Sequence, residues 1–210
     1  MYNHTVLLYN LKIKKMITNN EKKILKFLLV NFNSDYSINE IAKKCGLAPN
    51  GAYEILKKFE EKEVLSSKKI ANSKSYKINF DSIEANKLLE LVLIPDYKDS
   101  KIKYRYADLR PLENITNLCI IFGSYLKKEK PNDFDVLFAI KRSDYKKYSE
   151  ALEKVKRILP FKLHDVIQTK EDLTKNIKKG EKLIIQALSE GAILWGHEFL
   201  IEVIKNAIKK

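Results

Sequence analysis

Residues 119–140 read CIIFGSYLKKEKPNDFDVLFAI: two apolar runs flank a charged loop, and the second run holds Asp133 and Asp135 with only Phe134 between them. Carboxylates in a half-buried strand are costly unless something compensates them. Side chains two positions apart in a strand share a face, so Asp133 and Asp135 point one way while Phe134 and Val136 point the other. Two carboxylates held that close repel, and a bound divalent cation is the commonest way to keep both ionised. The alternative is a pair of solvent-facing aspartates on an edge strand.

The first apolar run ends at Gly123-Ser124, where a helix can begin. Glycine lets backbone N–H groups approach a ligand, and a helix N-terminus favours phosphate. Mg²⁺ takes one or two protein carboxylates plus substrate phosphate oxygens, so a phosphate cradle one loop before the aspartates would complete such a site. Strands and helices alternate from here on: strands over 118–122 and 134–140, a helix over 143–159, a strand over 161–168, and two further helical stretches flanking AILWG.

Residues 18–80 follow a different pattern. Thr18-Asn-Asn-Glu21 and Ser37-Ile-Asn-Glu40 both fit the capping box, in which a hydroxyl and a carboxylate reciprocally satisfy free N–H groups at a helix start. Helically spaced apolar residues follow each: Ile24, Leu25, Leu28 and Leu29, then Ile38, Ile41 and Ala42. Gly46-Leu47 breaks the second helix, and Pro49 suits the first turn of a third that runs to about Glu61, with Ala52, Ile55, Leu56 and Phe59 inward. Two β-type runs, 64–70 and 75–80, flank the polar turn Ala71-Asn72-Ser73-Lys74. Asp81-Ser-Ile-Glu84 then opens another capped amphipathic helix to about Leu93, ended by Pro95. Its apolar residues cover much of its circumference, which suits a connector between halves or a homodimer interface equally. The stretch YKDSKIKYRYADLRPL, 97–112, lacks a clean period and reads as a loop or partial helix leading into the second domain. The domains expected are therefore 1–80, a connecting helix and linker over 81–112, and 113–210, an α+β chain.

The formal charge is +13, which points to an anionic partner such as nucleic acid or a polyphosphate. Residues 1–80 hold 15 lysines and 7 acidic side chains, a net +8, so the charge is concentrated in the first half. Cys45 and Cys119 are far apart, outside any CxxC pair, which argues against a disulfide framework or zinc site. The N-terminus lacks a charged start before a long apolar stretch, and no apolar run approaches the roughly 18 residues of a membrane span. A cytoplasmic protein that makes no membrane contact is expected.

Two resemblances follow from these motifs. Helix, helix, tight turn, helix and hairpin is the order of a winged helix-turn-helix, and INEIAKKCGLAPNGAYEILKKFEEKEVLSSKK resembles that family, over about residues 15–80. The resemblance implies that the third helix enters the DNA major groove and the hairpin touches the backbone. Asn50 and Tyr53 would then reach base edges, while Lys57, Lys58, Lys68, Lys69 and Lys74 would contact phosphates. Glu54 shares the reading face. A dimerisation or protein-docking module remains the alternative use of such a domain.

Hydrophobic-Gly-Ser, a short loop, then Asp-hydrophobic-Asp-hydrophobic is similar to the nucleotidyltransferases of the DNA polymerase beta superfamily, and residues 113–210 resemble the minimal nucleotidyltransferases, a small mixed sheet with helices on it. In that family a third carboxylate lies on the next strand, here Asp165 in KLHDVIQT. Carried over, Gly123 and Ser124 would hold a triphosphate of ATP or another NTP, and Asp133 and Asp135 would coordinate two Mg²⁺ ions. Asp165 would bind the catalytic one and help activate an acceptor hydroxyl. Lys127, Lys128 and Lys130 would neutralise phosphate charge. The chain departs from the family at Leu126-Lys127-Lys128, which replaces a small-residue-Arg-Gly element, and at Asn132, where serine is usual. His164 points away from the Asp165 face and reads as structural, and Trp195 reads as core.

Three functions compete on this reading. The first is Mg²⁺-dependent transfer of AMP from ATP to a hydroxyl acceptor, which could be a protein. The second is a winged-helix transcription regulator whose nucleotidyltransferase-like domain senses a nucleotide. The third is an antitoxin that adenylylates a partner toxin.

Overall fold

The computed structural model describes residues 17–70, 73–97, 99–128, 131 and 133–208. His4, the turn residues Ala71 and Asn72, Lys130 and Asn132 lie outside them. The chain divides between Val92 and Leu93 into two compact units.

In the first unit, α1 (Asn19–Val30), α2 (Ile38–Cys45) and α3 (Pro49–Glu61) start where the capping signals place them. Thr18 N–H donates to the Glu21 carboxylate at 2.6 Å while Glu21 N–H donates to Thr18 Oγ1 at 3.3 Å, and Ser37 and Glu40 repeat the exchange. α2 stops at Gly46, whose φ of 67° is the left-handed conformation that glycine adopts without steric cost. The apolar stripes meet in one core: Ile24, Leu25, Leu29, Ile41, Ala52 and Leu56 are all fully buried. Truncating such a residue, for example Leu56→Ala, costs about 2–5 kcal/mol. An antiparallel hairpin, β1 (Leu65–Ile70) and β2 (Ser73–Ile78), closes the core with Leu65, Tyr76 and Ile78. α4 (Ile83–Leu93) begins after Ser82, whose Oγ accepts from Ala85 N–H at 3.2 Å, so the cap is one residue later than the expected Asp81.

The second unit contains α5 (Ser100–Leu109), a 3-10 turn (Arg110–Leu112), β3 (Leu118–Phe122), α6 (Ser124–Lys127), β4 (Asp133–Ala139), α7 (Tyr145–Ile158), β5 (Lys162–Gln168), α8 (Lys170–Lys179), α9 (Lys182–Glu190), β6 (Ala192–Trp195) and α10 (His197–Ile208). Its sheet has the order β5-β4-β3-β6, with β3 antiparallel to both neighbours and β4 parallel to β5 across the α7 connection. Phe134, Val136 and Phe138 on one face of β4 pack with Tyr148, Leu152 and Val155 of α7 and with Ile102 and Leu109 of α5. The alternate residues Leu118, Ile120, Leu137 and Ala139 are also fully buried, with α9 and α10 against β3. The sheet is therefore covered on both faces, and the fold is α+β.

Within the stretch 97–112, expected as a loop or partial helix, residues 100–112 form α5 and its 3-10 turn, and Ile102, Leu109 and Leu112 belong to the core of the second unit. Ile102, Leu109 and Leu112 do lie on one helical stripe, but its middle position is Arg105, which hides the period in sequence. Trp195 is core, 7% exposed, with its indole N–H donating to Thr116 Oγ1 at 2.9 Å.

Candidate functional site

In the first unit α3 buries Ala52, Leu56 and Phe59 and leaves Asn50, Tyr53, Glu54 and Lys57 exposed. These four occupy i, i+3, i+4 and i+7, one continuous face. Tyr53 is 42% exposed, a large ring left in solvent, while Ile55, expected inward, is half-buried. Among the described residues Lys57 pairs with Glu61 at 3.9 Å, both side chains more than half exposed, so the pair is weak and the ammonium available.

The other expected phosphate contacts are differently placed. Lys58 donates to the Glu21 carboxylate at 2.6 Å and so ties α3 to the start of α1. Glu21 is 4% exposed. Burial alone would raise its pKa, but the hydrogen bonds from Lys58 and Thr18 hold it below the ordinary value. Lys68 and Lys77 both reach Asp35, at 3.0 and 3.3 Å, and hold that carboxyl below its usual range. Lys74 pairs with Glu60 at 2.6 Å, which lowers Glu60 and raises Lys74. Lys69, exposed, stands opposite Lys74 in the hairpin register. Like charges directly opposite are unfavourable, so Glu60 offsets one of them and an external anion would offset the other. Lys57 and Lys69 are thus the least encumbered cations of the expected set, and Lys58, Lys68 and Lys74 would have to exchange a carboxylate for a phosphate.

In the second unit Asp133 and Asp135 share a face of β4, both half-buried, as the alternation requires. Gly123 holds φ 76° and ψ −150°, outside the range of other residues, and a Cβ there would overlap the Asp135 carboxylate. The Gly-Ser turn and the aspartate therefore lie in contact, which brings together two of the three expected elements. Ser124 opens α6, a helix of only 4 residues.

Asp165 is not with them. In the parallel β4/β5 register it stands opposite Val136, while Asp133 faces Lys162 and Asp135 faces His164. Asp165 consequently points to the α7 side of the sheet, where Tyr148 donates to it at 3.1 Å and Lys156 lies at 3.2 Å. Burial foremost, and then this carboxylate, push the Tyr148 hydroxyl well above its usual pKa. Assigning Asp165 as a third metal ligand is therefore corrected: it ties α7 to β5. His164, taken as structural, has its Nδ1 3.5 Å from Asp135 Oδ1 on the carboxylate face. The family resemblance alone put Asp165 on the metal face; Leu163-Asp165-Ile167 and His164-Val166-Gln168 are equally mixed, so alternation could not say which set faced the core.

Among the described residues no three or more His, Cys, Asp or Glu side chains are placed to hold a metal ion. The donors present, two half-buried carboxylates on one face, fit a single Mg²⁺ completed by phosphate oxygens and water. They do not fit two ions bridged by three carboxylates. Lys127 pairs with Glu190 at 2.7 Å, lowering that carboxyl, so its ammonium is engaged there, and Lys128 is exposed.

The family model of winged helix-turn-helix DNA-binding domains matches residues 17–66. Among solved structures, MepR, a transcription regulator of the Staphylococcus aureus multidrug efflux pump MepA, is similar at 14% identity and a TM-score of 0.34, over 52% of this chain and 96% of that one. No curated protein matches. No described helix is long and apolar enough to cross a membrane. Residues 17–66 thus match the winged helix-turn-helix model and have its order of helices, with α3 presenting an open polar face and a basic hairpin after it.

Proposed function

We propose that the chain is a DNA-binding transcription regulator whose second unit binds a nucleoside triphosphate with one divalent cation as effector. The observation that carries the reading is the free face of α3, Asn50-Tyr53-Glu54-Lys57, in a domain whose family binds DNA. Asn50 and Tyr53 read base edges, and Lys57 and Lys69 neutralise phosphates. In the second unit Asp133 and Asp135 hold the cation, which supplies charge neutralisation to the phosphates, and the Gly123 turn lies against Asp135. Fluorescence anisotropy with DNA flanking the chain's own gene, with and without ATP and Mg²⁺, tests it. The expected result is salt-dependent binding whose affinity changes when ATP and Mg²⁺ are added together. Equal affinity for every duplex with no response to nucleotide refutes it.

A second reading, transfer of AMP from ATP to a hydroxyl on a protein or nucleic acid, is favoured by the contact between Gly123 and Asp135. It has two carboxylates on the reacting face instead of three, with His164 beside them. Pyrophosphate release from ATP, present in the native chain and absent in an Asp133→Ala, Asp135→Ala variant, would select it over the regulator. An antitoxin role is the special case in which the acceptor is a partner toxin.

A further inference from the structure

The buried cation Arg105 has no part in either reading. It is 9% exposed, and its Nη2 pairs with Asp108 at 2.9 Å, yet Nε and Nη1 have no hydrogen-bond partner. Donors left bare in a protein interior are expensive, so something must compensate them. Three aromatic rings do: the guanidinium carbon lies 5.5 Å from the centre of Phe161, 5.9 Å from Phe134 and 6.0 Å from Tyr125. Tyr125 in turn meets Phe134 edge-on at 4.8 Å and Phe161 at 5.5 Å. A cation over ring faces is attracted by their negative quadrupoles, and more strongly where water is excluded.

The three rings come from three different segments of the candidate site. Tyr125 directly follows Ser124, Phe134 lies between Asp133 and Asp135, and Phe161 immediately precedes β5, which carries His164. One turn earlier on α5, Lys101 donates to the Lys128 carbonyl at 2.6 Å, lies 3.5 Å from the Tyr125 carbonyl, and stands 6.0 Å from the Tyr125 ring. α6 needs such help, because a single helical turn has few internal hydrogen bonds to offset the entropy of ordering it.

We infer that Lys101 and Arg105 are positioning residues: α5 clamps α6 through them and thereby holds Gly123 against Asp135. Lys101 caps the carbonyl end of the short helix, and Arg105 fixes its ring to the underside of the aspartate strand. The left-handed Gly123 and the carboxylate it touches stay in contact only while α6 cannot rotate about its single turn. The consequence for ligand binding rests on the nucleotide reading given above, whereas the clamp itself is a property of the free protein.

The test uses the full-length chain, ¹⁵N-labelled, as Arg105→Met, Arg105→Lys and Lys101→Met, with amide spectra in the absence of ligand and Mg²⁺-ATP titrations. In Arg105→Met and Lys101→Met the Gly123, Ser124 and Asp135 amides shift, while those of β6 and α10 do not. Affinity for Mg²⁺-ATP falls about tenfold, the lower end of what losing a residue that orients metal ligands costs, and Arg105→Lys recovers part of both effects. If Arg105→Met does not fold, Lys101→Met, at a half-exposed position, decides. Unmoved Gly123 and Asp135 amides in a folded variant overturn the clamp and leave Arg105 a packing residue. If the native chain binds no Mg²⁺-ATP but the Gly123 amide still moves in the variants, the nucleotide reading fails and the clamp stands.

Discussion

Replacing Glu21 with Gln removes the charge at the junction of α1 and α3 with little change in shape. Two interactions are weakened. The capping-box bond from Thr18 N–H, 2.6 Å, belongs to a class worth about 1 kcal/mol. The Lys58 bond, also 2.6 Å, is charge-assisted and of a class worth about 1.5–3 kcal/mol, but the lysine side chain is 48% exposed and solvent screening reduces that to about 1 kcal/mol. The expected loss is about 2 kcal/mol, confined to the first unit. Trp195, the one tryptophan of the chain, sits in the second unit and serves as an internal control. In urea unfolding, Glu21→Gln should move the circular-dichroism transition and leave the Trp195 fluorescence transition in place. A double-mutant cycle with Lys58→Met should give a coupling of about 1 kcal/mol. The sign of the pH dependence follows from the depressed Glu21 pKa. Its contribution is complete above the ordinary value of 4.5 and is lost as pH falls through the lower folded value. The gap between native chain and variant should therefore narrow on acidification from about pH 5. A cost below about 0.5 kcal/mol, or a coupling near zero, would refute the claim that this pair joins the two helices.

Lys57→Ala should weaken DNA binding on all sequences and reduce the salt slope by about 1, measured by anisotropy at several ionic strengths. Asp35→Asn should act in the opposite direction, tightening binding and steepening the slope, because it releases Lys68 and Lys77. Asp165→Ala strands the buried Tyr148 hydroxyl and should shift the Trp195 transition by about 1–3 kcal/mol, whereas Asp135→Ala should leave it unchanged and abolish Mg²⁺-dependent nucleotide binding. Gly123→Ala combines a positive φ with overlap at Asp135, and should reduce Mg²⁺-ATP affinity in calorimetry even where the chain remains folded.

Sequence was most legible where a local chemical rule decides the structure. The capping boxes at Thr18 and Ser37, the glycine stop at Gly46 and Pro49 at the first turn of α3 each act within four residues, and the first unit follows them closely. The β3–Gly123–β4 segment was legible for the same reason, since period-2 alternation fixes the side of both aspartates. What sequence could not settle is the pairing between distant strands. Asp165 and His164 exchange roles according to which residue of β5 stands opposite Asp135, and only the packing of Leu163 against the α7 side decides it. α5 was obscured because a buried arginine replaces an apolar residue in its stripe, and the three rings that compensate it come from 20 or more positions downstream. In the first unit, the carboxylates that engage Lys58, Lys68 and Lys74 are likewise 37, 33 and 14 residues away in sequence.

Asp35 has a further consequence. Lying between α1 and α2, it receives Lys68 from one strand of the hairpin, and Lys77 and the Ser75 hydroxyl from the other. The hairpin is thereby held to the segment between α1 and α2, while Glu60 at the end of α3 holds it through Ser67 and Lys74. A hairpin that must be ordered on contact spends part of its interaction free energy on lost chain entropy, and folding coupled to association enlarges the heat-capacity change. Here both should be small, and the heat capacity of association should scale with interface area alone. Asp35→Asn frees the two lysines but can still accept from Ser75, whereas Asp35→Ala would cut the tether and turn a rigid-body encounter into one with a temperature-sensitive ordering step.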